Sequence, residues 1–195
     1  MIGQIGEKRS PFGSYIYAVS RGSSAGKDVY LVTMNYWGGG NQRLFQSDTL
    51  ALDATTLAPQ WRRFHARYDS ATVTFNGRHA TGWSVRDHSS RVKVDLELPE
   101  GAFGGGMLRW VLAGATLKRG ATGSVKWLDI WKNNVESVSF TVSGSERLTV
   151  GGPQVDAWVV DVSGGNQLWL DKKTGQVLQG RSGIKTPGEW WTVKR

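Results

Sequence analysis

Asp156-Ala-Trp-Val-Val-Asp-Val-Ser-Gly-Gly-Asn-Gln-Leu-Trp-Leu-Asp-Lys-Lys-Thr-Gly-Gln-Val-Leu178 alternates strand patterns with turn signals. On an extended chain Val155, Ala157 and Val159 point to one side, and Asp156, Trp158, Val160 and Val162 to the other. The middle of this strand is therefore apolar on both faces, which predicts a central position in a sheet. Ser163-Gly164-Gly165-Asn166 supplies the positive-φ residues of a hairpin, Gln167 to Leu170 return, and Asp171 to Gly175 turn the chain again. Consecutive antiparallel strands follow.

The same period-2 pattern extends upstream. Phe12 to Ser20 and Val29 to Tyr36 read as strands around a Gly/Ser loop, and Arg43 to Leu52 as the next, ending in the acceptor-rich turn Asp53-Ala54-Thr55-Thr56. After Pro59, Arg62 and Phe64 share one face, and Trp61, Arg63, His65 and Arg67 the other. Asn76-Gly77 marks a two-residue hairpin. Val92, Val94, Leu96 and Leu98 then alternate with Arg91, Lys93, Asp95 and Glu97, the strongest one-sided strand in the chain. Met107 to Leu117 is the one stretch with helical spacing. Strands resume at 124–131, 135–142 and 147–150, and Glu189 to Val193 reads as the last. Residues 1–11 are expected to be irregular. The expected fold is all-β and mainly antiparallel: a large curved sheet or half-barrel of about a dozen strands, with one helix on its concave side. The 195 residues are read as a single domain.

Three parts of this pattern carry a family resemblance. The segment from Asp156 through Leu168-Trp-Leu-Asp-Lys-Lys-Thr-Gly175, together with Leu50-Ala-Leu-Asp-Ala-Thr-Thr-Leu-Ala-Pro59 and Phe75-Asn-Gly-Arg78, resembles the bacterial envelope domain of unknown function 3108. The resemblance spans residues 42–181. It implies a sheet similar to the half-barrels of LolA-like lipoprotein carriers, a fold-level analogy, and an exported protein. It brings no catalytic residues.

Composition narrows the chemistry. There is no cysteine, so disulfides, thiol catalysis and thiolate metal sites are excluded. The first twenty residues hold no signal-peptide core and no stretch reaches a membrane span; a periplasmic or membrane-peripheral bacterial location is expected from the resemblance. Lys and Arg number 24 against 16 acidic residues, for a net charge of +8. That excess favours an acidic partner, either an acidic protein surface or anionic lipid. Nucleic acid is disfavoured, because the basic row Arg63, His65, Arg67, Arg86, Arg91 and Lys93 has Trp61 as its one clear exposed aromatic.

Candidate chemistry is sparse. Gly22-Ser23-Ser24-Ala25-Gly26 has the pattern of a hydrolase nucleophile elbow, but a strand follows where a helix is required. His65, His79 and His88 lack zinc-site spacing. No cofactor and no catalytic set is expected. Ten tryptophans need explaining. Trp83, Trp110, Trp158 and Trp169 are read as core, whereas the adjacent pair Trp190 and Trp191 must face opposite sides of a strand, and Tyr36-Trp37 poses the same problem. The reading is a non-catalytic accessory or scaffold subunit that docks on a membrane-associated protein complex through Trp37, Trp61, Arg63, Arg67, Trp190 and Trp191. Its alternative is a lipid or hydrophobic-ligand binder with a cavity lined by Met107, Trp110, Val111, Trp158 and Trp169.

Overall fold

Alternation of apolar and polar residues produces strands along nearly the whole chain. The computed structural model describes residues 2–5, 10–38, 43–103, 108–183 and 190–193. In chain order these form β1 (Ile2–Ile5), β2 (Ser10–Ser24), β3 (Lys27–Gly38), β4 (Arg43–Asp53), β5 (Pro59–Ala66), β6 (Ser70–Asn76), β7 (His79–Val85) and β8 (Val92–Glu97). Then come α1 (Leu108–Gly114), β9 (Thr122–Asp129), β10 (Asn134–Thr149), β11 (Gln154–Val162), β12 (Asn166–Asp171), β13 (Val177–Ser182) and β14 (Trp190–Val193). Among the described residues the fold is mostly antiparallel β with a single short helix, as the sequence pattern predicts. Its strands form two runs, of 7 and 5, linked through β1 and β14 in one hydrogen-bonded order. The seven-stranded part is the sequential meander β2 to β8, and the five-stranded part is β9 to β13. The short β1 pairs with the start of β2 and with β14, and β14 with β13. The chain packs as two compact units, one of residues 15–105 with 126–136, the other of 1–14, 106–125 and 137–195.

In the first unit, β5 to β8 bury one face. Ala71, Val73, Phe75, Ala80, Val94 and Leu98 form its core with Leu128 and Ile130, and Phe64 and Trp131 pack against them. The core-facing residues of β7 are small: Ala80, Gly82 and Ser84. A Cβ on Gly82, whose φ is +153°, would drive into the Thr72 carbonyl. The hydroxyl of Ser84, the one fully buried polar side chain among the described residues, donates to the Ile130 carbonyl at 2.6 Å. That bond fastens the segment after β9 onto the sheet.

In the second unit β11 lies between β10 and β12, with Ala157 and Val159 buried on one face and Val160 and Val162 on the other. The two-sided pattern from which the fold was read is therefore a central strand. Ala157 and Val159 pack with Trp169 and Leu178.

Three local expectations differ from the structure. Residues 2–5, expected to be irregular, are a strand. Among the described residues the helix covers Leu108–Gly114, with Leu108 and Leu112 buried; Gly114, a poor helix former, ends it. Residues 143–146, left between the expected strands 135–142 and 147–150, lie within the continuous β10, with a bulge where the register shifts between Val142 and Gly144.

Two turns share one design. At the end of β4 the Asp53 carboxylate accepts the backbone N–H groups of Thr55 (3.0 Å) and Thr56 (2.9 Å), while Leu57 N–H returns to the Asp53 carbonyl. At the end of β12 the Asp171 carboxylate accepts those of Lys173 (2.7 Å) and Thr174 (3.2 Å), and Gly175 N–H returns to the Asp171 carbonyl. Thr56 and Thr174 each accept from the residue two positions on, both at 3.3 Å. The left-handed position is filled by Leu57 (φ +58°) in one turn and Gly175 (φ +69°) in the other. Leu57 carries the Cβ strain of that conformation with its side chain exposed. Gly175 carries none, and a Cβ there would strike the Ala113 carbonyl at the end of α1.

Leu57→Gly is expected to raise stability by about 0.5–1 kcal/mol, since it relieves the strain without removing a core contact. Gly175→Ala is expected to lower stability, and chemical denaturation of the two variants checks both signs. A second outcome concerns pH. The backbone N–H groups of Thr56 and then Thr55 hold the Asp53 carboxyl below its usual range. A depressed folded value means stability that is present above the unfolded value and lost as pH falls through the folded one. Asp53→Asn should therefore melt below wild type at pH 7, and the gap should close as the pH is lowered through the carboxylate range, around pH 4 and below.

Candidate functional site

The candidate site is the polar face of β4 to β8, opposite the core. Strand register aligns side chains in rows across the sheet. One row is Thr49, Arg63, Thr72, Trp83 and Lys93, and the neighbouring row is Ser47, His65, Ser70 and Val85. Between them lies a groove of about 270 Å³ lined by Ser47, Thr49, Arg63, His65, Ser70, Thr72 and Trp83, with Phe64 and Ala71 also in its lining. Arg63, His65 and Arg91 are exposed, and Trp61 and Trp83 half-buried.

Three arginines at this end of the sheet lie over aromatic rings. The Arg63 guanidinium is 4.8 Å from the Trp61 ring centre, Arg91 is 4.4 Å from Trp83, and Arg67 is 4.7 Å from Tyr68. Each contact contributes about 0.5–1 kcal/mol at an exposed site and limits the rotamers of a long side chain. None of the three has a carboxylate partner among the described residues; the ion pairs of this unit use Arg62, Arg78, His79, Lys93 and Lys132 instead. The rings are themselves held. Trp61 Nε1 donates to Ser24 Oγ at 2.9 Å, and Tyr68 packs against His88 with ring centres 4.6 Å apart. The Asp69 carboxylate accepts the Asp87 N–H, tying the β5–β6 turn to the β7–β8 turn. At the far edge Lys93, then His79, hold the Asp95 carboxyl below its usual range, so that acid is occupied.

The structure thus brings Trp61, Arg63 and Arg67 to one end of one sheet. Trp37 is elsewhere: it pairs with Leu44, is half-buried, and its buried Nε1 has no acceptor among the described residues. The backbone of Trp190 and Trp191 lies in β14, opposite Ser182 and Arg181, and their side chains are outside the described residues. Trp83, read from sequence as core, is corrected to the polar face, where it is the second exposed-side aromatic of the basic row. Counting from the Asn76-Gly77 turn finds it, because Phe75 opposes Ala80, and Trp83 must then oppose Thr72.

Of the alternative cavity's residues, Trp158 and Trp169 point apart. Trp158 pairs with Leu170 and Trp169 with Val159, so the two indoles leave opposite faces of the sheet. Trp169 is buried in the core with Nε1 donating to Glu146 at 2.9 Å, and Trp158 lies beneath Lys172. Trp110 and Val111 are half-buried on α1, and Met107 lies outside the described residues.

Other sequence motifs resolve as structure. Gly22 to Gly26 is a hairpin whose Ala25 and Gly26 have φ of +49° and +76°, the two positive values of a type I′ turn. Among the described residues no three His, Asp or Glu side chains are grouped to hold a metal ion, and no helix is long and apolar enough to cross a membrane.

Comparison with known proteins adds one finding. The family model described as protein of unknown function (DUF3108) matches residues 10–184. The chain belongs to the DUF3108 family. The match begins well upstream of residue 42, so β2 and β3 are part of the DUF3108 domain and not an addition peculiar to this chain. No curated protein and no solved structure matches it.

The two tryptophan environments have measurable consequences. Trp83→Ala is expected to cost under about 1 kcal/mol, the range of surface contacts. Trp131→Ala removes a ring packed edge-on against Phe64 at 5.2 Å beside the core, and is expected to cost roughly 3 kcal/mol or more. Urea denaturation of both variants distinguishes these values.

Proposed function

We propose that this DUF3108 chain is a non-catalytic accessory subunit that docks its basic, aromatic-bearing face on an acidic partner in a membrane-associated assembly. The observation that carries the reading is the set of three ring-stacked arginines, Arg63, Arg67 and Arg91, without carboxylate partners at one end of one sheet. Guanidinium groups immobilised on aromatic rings lose little further entropy on binding and present N–H edges in a fork that fits oxyanions. Tryptophan, tyrosine and arginine are also the residues that dominate binding energy at interfaces.

Hydrophobic-ligand binding is supported less well. The apolar face of β5 to β8 is filled by Leu128, Ile130 and Trp131, and the tryptophans of the other unit diverge. A few exposed apolar residues, Ile16, Val19, Leu44 and Phe45, offer contact area on β2 and β4.

The experiment is affinity capture from the protein's native membranes in mild detergent, with wild type beside the triple variant Arg63→Ala, Arg67→Ala, Arg91→Ala. Wild type should retain a partner in fixed stoichiometry that elutes as salt is raised past about 0.15 M, where exposed charges are screened. The triple variant should retain little of it. Equal recovery by both proteins would remove the role assigned to this face.

A further inference from the structure

Resting on the docking reading, the groove at the centre of the face identifies the chemistry of the acidic partner. We infer that the groove binds a sugar ring bearing an oxyanion, so that the partner's acidic groups at this face are carried on saccharide.

Three features of the site lead to that ligand. The first is the density of hydroxyls. Ser47, Thr49, Ser70 and Thr72 all open onto the groove, all are half-buried, and none of their hydroxyls has a hydrogen-bond partner among the described residues. A hydroxyl both donates and accepts, so four of them on neighbouring strands match a ligand that is itself dense in hydroxyls. A peptide segment would instead offer one backbone donor and acceptor per residue, with side chains alternating away from the surface. The second feature is the wall. Trp83 stands in the same row as Thr72 and Arg63, and an indole beside polar groups suits a ring with an apolar face and a polar rim. The third is charge. Arg63 stands within the groove and Arg91 lies over Trp83, placing guanidinium groups where a carboxylate or phosphate on the ring is met by parallel N–H donors. His65 completes the lining from the adjacent row.

Size and openness fit this ligand. A volume of about 270 Å³ is close to the lower bound of roughly 300 Å³ for small-molecule sites, which is room for a ring and its substituents but not for a folded segment. The groove crosses the strands, and neighbouring strands are about 4.8 Å apart, so an oligosaccharide laid along the row from Thr49 to Trp83 would pass over four strands. The contacts are made by side chains on rigid sheet, with no rearrangement required.

The test is calorimetric titration of the full chain with four probes: tetragalacturonate, the neutral cellotetraose, glucose 6-phosphate and tetraglutamate, with inorganic phosphate as the bare anion. Saturable binding of tetragalacturonate or of glucose 6-phosphate, at least about tenfold tighter than cellotetraose, tetraglutamate and phosphate, is expected, and which of the two binds identifies the oxyanion. Arg63→Gln and Thr72→Val should each weaken that binding severalfold or more, while Lys172→Gln in the other unit should leave it unchanged. Both groove variants alter side chains outside the core, and unchanged melting curves verify that the fold is intact. Failure of both acidic sugars to bind, or binding equalled by inorganic phosphate or by cellotetraose, would overturn the inference. Preference for tetraglutamate at the same residues would overturn it as well, while leaving the docking face in place.

Discussion

The buried bond from Ser84 to the Ile130 carbonyl expresses the constraint on which the polar face depends. A strand presents two faces, and once a segment of chain is fixed over one of them the other must carry the polar residues. Ala80, Gly82 and Ser84 are small enough for Leu128 and Ile130 to approach, and the hydroxyl satisfies a carbonyl that would otherwise be buried without a partner. A lost partner of that kind costs about 1–3 kcal/mol. Every large side chain of β7 is consequently displaced to the opposite face. Trp83 lies beside Thr72 and Arg91 because its two neighbours in sequence are needed small.

The recurring turn shows how a second constraint is met twice with different residues. Asp53 and Asp171 both end a strand by accepting two backbone N–H groups, and both turns need a left-handed residue four positions on. At Gly175 the helix end comes so close that no side chain fits. At Leu57 the side chain faces solvent, and a backbone cost of about 1–2 kcal/mol is tolerated. The same hydrogen-bond network therefore accepts different residues at the critical position, according to what lies against it.

Much of this was legible in the sequence for a physical reason: the side-chain period of a strand is two, so one correct turn assigns every later residue to a face. Val92 to Leu98 and Val155 to Val162 were readable in that way, as were Arg63 and His65 on the polar side. The size of Trp83 suggests the core, but parity from the Asn76-Gly77 turn puts it on the polar face. Residues 143–146, left between two expected strands, belong to one strand because a bulge keeps a strand going through a glycine that elsewhere would end it. The helix was read too long because its apolar spacing continues past Gly114 while its hydrogen bonding does not. The groove was not legible at all. It depends on which short hydroxyl side chains on β4 and β6 flank Arg63 and His65, and that requires the register of three strands at once.

Electrostatics differs sharply between the two faces of β5. An exposed ion pair contributes at most about 1 kcal/mol, so stability alone gives little reason to pair or not to pair an arginine. Arg62, nearer the core, is paired in two-point fashion with Asp48 at 2.7 and 3.0 Å, where burial makes an unpaired charge costly. Arg63, one residue later and on the opposite face, is left without an acid among the described residues and is stacked on Trp61. Stacking restrains the guanidinium while keeping its N–H edges available, whereas a salt bridge would occupy them. Two successive arginines thus meet opposite environments, one satisfied internally by Asp48 and one stacked on an indole at the polar face.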